Sequence, residues 1–117
     1  QYPFGSLLGA GAPMAMGSDW GVSTCNVMEE VDVAVTRTGT EGGPLMIEEA
    51  VDPLVALTAF TLGSAYVNHA EDVSGSIAVG KLADFAVLDR DPTRDGPFRD
   101  AEVVTTVVGG EVVYEGH

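Results

Sequence analysis

Apolar positions along the chain change period twice, and each change predicts a different kind of element. Met14, Ala15 and Met16 form a short apolar run ending at Gly17-Ser18-Asp19. Such a run fits a buried parallel strand as well as a buried scrap of helix. After Gly21, Val27, Val31 and Val35, with Met28 and Ala34, recur near a 3.6-residue period. This predicts a helix capped by Ser23 or Thr24, with Glu29, Glu30 and Asp32 facing water. The sequence TGTEGGP at 38–44 interrupts it with three glycines and a proline.

A second helical region is predicted over about residues 46–69. Asp52-Pro53 marks an internal start, Asp as cap and Pro at the first helical position, where its missing N–H costs nothing. Leu54, Leu57, Thr61 and Ala65 make one apolar stripe, widened by Val55, Ala59, Leu62 and Tyr66. Gly63, Ser64 and Ala65 allow another element to approach closely. Glu48 and Glu49 belong to a separate short helix before Pro53. The first twelve residues read as loop with at most one turn of helix.

Beyond Asp72 the period becomes two. Ile77 and Val79 predict a strand, Gly80-Lys81 a turn, and Phe85, Val87 and Asp89 another strand. Residues 90–100 form a polar connection. EVVTTVVGGEVVYEG then reads as a hairpin, because Gly109-Gly110 can supply the two positive φ values of a tight turn.

At 117 residues, 45% of them hydrophobic and 20% charged, the composition is that of one globular domain. The net charge of −13 repels phosphate backbones, so a nucleic-acid partner is not expected. Cys25 is the only cysteine, which excludes an intrachain disulfide and a thiolate metal cluster. No apolar run reaches the roughly 20 residues of a membrane span, and the amino end lacks a signal-peptide pattern. It also lacks an initiator Met, from which a start inside a longer sequence is expected.

Asp19 is the main candidate for chemistry. It follows an apolar run, where α/β enzymes place functional groups, and a carboxylate there can ligate a metal and accept a proton. The plainer alternative is that it caps a nearby helix or fixes a turn. His69 ends an amphipathic helix, where termination is its simplest role, and His117 is the final residue. Two distant histidines and Asp19 are a poor basis for zinc, which generally takes three protein ligands. Cys25 has no neighbouring histidine in sequence, Ser18 lacks a nucleophile-elbow setting, and Gly109-Gly110 does not precede a helix.

Four segments in order, MGSDWGVST, DPLVALTAFTLGSAYVNHAED, GSIAVGKLADFAVLDRDP and VVTTVVGGEVVYEG, resemble the carboxyl-terminal part of the metal-dependent amidohydrolase superfamily, in particular its amidohydrolase-3 branch. The resemblance implies a mixed α/β fragment: the last strand and helices of a TIM-like barrel in residues 1–72, plus strands of a small composite β-sandwich in 73–117. Residues 14–18 would correspond to the eighth barrel strand. Asp19 would be the catalytic, metal-binding carboxylate that handles the proton of the attacking water. Gly21 replaces the Pro that often follows the Trp of the family's GSDW motif. Lys81 resembles the sandwich-turn lysine, with Asp84 as a possible partner.

What the resemblance implies about function is a hydrolase of C–N bonds, in amides or cyclic amides, using a divalent metal, zinc, in the full-length parent and none in this chain alone. The implied partners are the amino-terminal part of the same protein and a small-molecule substrate, in a cytoplasmic setting. Without the barrel, the Leu54/Leu57 stripe and a 103–108 edge would lie open, with a homo-oligomer as one remedy. The alternative is a non-catalytic acidic structural or interaction domain. A third reading, a metal-binding regulatory module built on Asp19, His69 and the acids, lacks calcium-loop spacing.

Overall fold

The computed structural model describes residues 2–39 and 42–116, so positions 40 and 41 of the glycine-rich interruption lie outside the described residues, as does His117. Helix α1 (Phe4–Gly9) is followed by an irregular segment through Met14 and Met16. Helix α2 (Val27–Thr36) starts at Asn26, whose side chain accepts the Met28 N–H at 3.1 Å. The cap is therefore Asn26 rather than Ser23 or Thr24. Thr24 instead accepts the Asn26 N–H, one step before the helix begins. Arg37, in the left-handed region, ends α2, and the backbone pair formed by Leu45 N–H and Arg37 O at 2.9 Å closes the loop that follows.

A 3-10 turn, Ile47–Glu49, stands apart from the next helix, as Glu48-Glu49 led us to expect. Helix α3 (Pro53–Thr58) opens with the expected device: Asp52 accepts the Leu54 N–H at 2.9 Å and Pro53 occupies the first turn. The helix then loosens into a π turn, Ala59–Gly63, and regains α geometry in α4 (Ser64–Val67). His69, at φ 56°, terminates it, with the Ala70 N–H reaching back to Ala65 O at 2.9 Å.

The buried face of this long helix keeps part of the predicted stripe, Ala59 and Ala65, with Val55 and Leu57 half-buried against the core. Ala56, Ala59 and Ala65 are buried, whereas Leu54 is 64% exposed and Thr61 is exposed. Ala56 packs into the apolar core, and Ala65 lies against the turn at Gly75. The core unites Val31 and Ala34 of α2 with Val51, Ala56 and Phe98, and draws in Phe4, Leu8, Met16 and Phe60.

Strands β1 (Phe85–Leu88), β2 (Val103–Val108) and β3 (Glu111–Glu115) form one antiparallel sheet in the order β1-β2-β3. The hairpin turn is as expected, with Gly109 at φ 59° and Gly110 at φ 83°. Asp84 accepts the Gly109 N–H at 2.7 Å and Ala83 O accepts the Gly110 N–H at 3.0 Å, which locks the turn onto the chain entering β1. Strand β2 is central, so the open edges belong to β1 and β3 and not to 103–108.

Two expected strands do not form. Residues 14–18 are irregular and sit in no sheet, and the Ile77 to Val79 stretch is coil and turn, with Ile77 85% exposed. A strand is stabilised by pairing with another strand, and neither stretch finds such a partner among the described residues. The architecture is a small mixed α/β fold; the described residues contain neither a closed barrel nor a second packed sheet.

Candidate functional site

Asp19 occupies an exposed turn at φ 49°, a left-handed backbone that Asp tolerates better than most residues. Its carbonyl accepts the Val22 N–H at 3.1 Å. It does not cap α2, which Asn26 does. The neighbouring Trp20 is 70% exposed. Among the described residues no group of three or more His, Cys, Asp and Glu side chains converges to hold a metal ion, so the structure does not gather Asp19 and His69 into a centre. Cys25 is exposed just before the α2 cap.

Between the segment carrying Ala15 to Gly17 and helix α2 lies an open cleft of about 830 Å³, walled also by Glu30, Phe60 and Arg99. Burial, with a smaller contribution from the charge of Glu29, pushes the Glu30 carboxyl above its ordinary pKa. One oxygen of Glu30 is sealed from solvent without a hydrogen-bond partner.

Three polar clusters hold elements of the fold together. Asp32, expected to face water, is 1% exposed. Its carboxylate accepts the Phe98 N–H at 3.1 Å and the Arg99 Nε–H at 2.7 Å, and pairs with the second arm of the guanidinium. Sequence carried a signal for this that the charge obscured: Met28, Val31, Asp32 and Val35 follow the i, i+3, i+4, i+7 spacing of one buried face. Lys81 does not pair with Asp84. Its ammonium donates to Ser74 O at 3.1 Å, to Ser76 Oγ at 2.8 Å and to Glu71 O, tying down the turn after the long helix.

In the third cluster the buried Glu49 accepts the Ser6 N–H at 2.7 Å and the Ser6 hydroxyl, fixing the start of α1. The Ser6 hydroxyl bond is the main reason its pKa lies below the ordinary 4.5, helped by the Ser6 N–H. A pKa lowered by folding means that ionised Glu49 stabilises the fold above its unfolded value, and that this contribution is lost as pH falls through the lower folded value. Between about pH 6 and pH 3, the wild-type melting temperature should therefore fall more steeply than that of Glu49→Gln. Parallel melting curves for the two proteins across that range would refute the assignment.

A helical layer and an attached antiparallel sheet define a small mixed α/β fold whose described residues present Asp19 in an exposed turn and gather no metal-ligand cluster around it. The chain belongs to the amidohydrolase family, which matches residues 1–114. It is 36% identical over 116 residues to the N-substituted formamide deformylase of Arthrobacter pascens, covering 97% of this chain and 21% of that protein. It is 35% identical over 117 residues to Protein LONG AFTER FAR-RED 3 of Arabidopsis thaliana, covering 97% and 20%. The imidazolonepropionase of Kosmotoga olearia is 30% identical over 113 residues, covering 92% and 25%. The chain thus spans about a fifth to a quarter of the length of these curated relatives. No solved structure matches it significantly.

Proposed function

We propose that the chain is the carboxyl-terminal part of a metal-dependent hydrolase of C–N bonds, and that alone it is a structural portion without hydrolytic activity. The supporting observation is family membership across nearly the whole chain, together with relatives four to five times longer, one of them named for its action on N-substituted formamides. In this reading residues 1–72 belong to the catalytic body and 73–117 to an accessory sheet domain. Asp19 is one metal ligand and an acid-base group, the substrate is a small amide or cyclic amide, and the metal is a divalent ion such as zinc.

The donors in this chain do not themselves fit such an ion. Zinc generally takes three protein ligands, and Asp19 is a single carboxylate with no converging partners among the described residues. The same observation favours the second reading, a non-catalytic acidic structural or interaction domain, for the 117 residues taken alone. No helix among the described residues is long and apolar enough to cross a membrane.

The test is made on the full protein that carries this chain. Elemental analysis should find divalent metal bound in stoichiometric amount, and amine should be released from a panel of N-substituted formamides and cyclic amides. A metal-free protein inert toward every member of the panel would leave the non-catalytic reading in place.

A further inference from the structure

The long helix departs from α geometry at one place, the π turn Ala59–Gly63, and the backbone leading to Asp19 docks there. A π turn shifts the hydrogen-bond ladder by one residue, so that Ala59 O accepts the Ser64 N–H five residues on. The same carbonyl also accepts the Met16 N–H at 3.0 Å, from a segment otherwise without a sheet partner. Gly63, the last residue of the π turn, lies directly against this segment. A Cβ built on it would stand 2.1 Å from Met14 O and 3.3 Å from the Ala15 Cα. Both are backbone atoms, which cannot swing aside as a flexible side chain would.

The opposite side of the turn is gripped as tightly. Gly75, at φ +79°, lies so close that a Cβ would meet the Ala65 Cβ at 2.6 Å and the Leu62 Cα at 3.0 Å. The turn carrying Gly75 is in turn held by Lys81 through Ser74 and Ser76. The π turn is therefore clamped between the Lys81-anchored loop and the segment that ends, three residues after Met16, at Asp19.

We propose that the π turn is the seat that fixes the Met14 to Asp19 segment, and that Gly63 is a positioning residue for the Asp19 carboxylate. This rests on the proposed role of Asp19. A methyl group at position 63 pushes Met14 away, breaks the bond from Met16 to Ala59, and displaces Asp19 without touching the substrate. A misplacement of about 1 Å at a reacting group can cost on the order of a hundredfold in rate.

The experiment uses the full protein and compares Gly63→Ala with Tyr66→Ala, an exposed position on the same helix. Hydrogen exchange at the Met16 amide should be at least about tenfold faster in Gly63→Ala than in wild type. In the same variant kcat should fall by about tenfold or more with KM nearly unchanged, because positioning and not binding is impaired. Tyr66→Ala should alter neither. Unchanged Met16 exchange in Gly63→Ala overturns the proposal, and so does faster exchange with unchanged kcat.

If Gly63→Ala fails to fold, the wild-type Met16 amide decides: exchange as fast as that of a free peptide shows that no seat exists. If the wild-type protein neither holds divalent metal nor cleaves C–N bonds, the proposed function fails and Asp19 has nothing to position. A slow Met16 amide would then still mark the seat as real, which separates the two failures.

Discussion

Asp32→Ala is expected to destabilise the fold by about 2–3 kcal/mol, the range for removing hydrogen bonds to a buried charged group. Asp32 accepts the Phe98 N–H and the Arg99 guanidinium on the buried side of α2. Truncation strands the Phe98 N–H away from water, which is the larger part of the cost. The Arg99 side chain is 40% exposed and can regain water, so the full penalty of an orphaned buried charge does not apply. Asp32→Asn keeps an acceptor for Phe98 and should cost about half as much. Urea unfolding curves give both values. An Asp32→Ala midpoint indistinguishable from wild type would show that the cluster is not holding Phe98 in the core.

Asp19→Asn in the full protein is expected to lower kcat by about a hundredfold to ten-thousandfold, the span typical of a lost acid-base group, and to reduce bound divalent metal. Asn is a well-chosen replacement because it tolerates the left-handed backbone about as well as Asp, so the turn at φ 49° survives. Compared after metal removal, the melting temperatures of variant and wild type should stay close, since the Asp19 side chain supports no part of the core formed by the described residues. Steady-state kinetics and elemental analysis check the two effects together. A variant with full metal content and kcat within about threefold of wild type would reduce Asp19 to a turn residue.

Elements whose causes are local were legible in the sequence. Asp52-Pro53 starts a helix because a side-chain acceptor and a missing N–H act within one turn, and the structure has both. Gly109-Gly110 makes the hairpin because only that pair accepts two positive φ values without strain. The stripe along residues 54–65 is legible in part: Ala59 and Ala65 are buried and Val55 and Leu57 half-buried, while Leu54 and Thr61 face out. Periodicity marks the apolar positions but not which of them another segment covers, and the backbone that approaches Gly63 comes from Met14 and Ala15, far off in sequence. Asn26 displaced Ser23 and Thr24 as cap because the helix begins later than the first capping residue, and boundaries are the weakest part of any such reading.

The candidate site divides in the same way. The sequence by itself determined the family, through four segments in order, and also the position of Asp19 after a short apolar run, the Asp52-Pro53 helix start and the hairpin, which rest on neighbours a few residues apart. The tertiary structure alone decided that Asp32 turns inward, since its partner Arg99 lies 67 residues away. It also decided that residues 14–18 and the Ile77 to Val79 stretch remain outside the sheet, and that the Asp19 segment hangs instead on a π turn. Apolar alternation states that a strand is possible, but a strand exists only where another backbone supplies its hydrogen bonds, and that supply is a property of the folded chain.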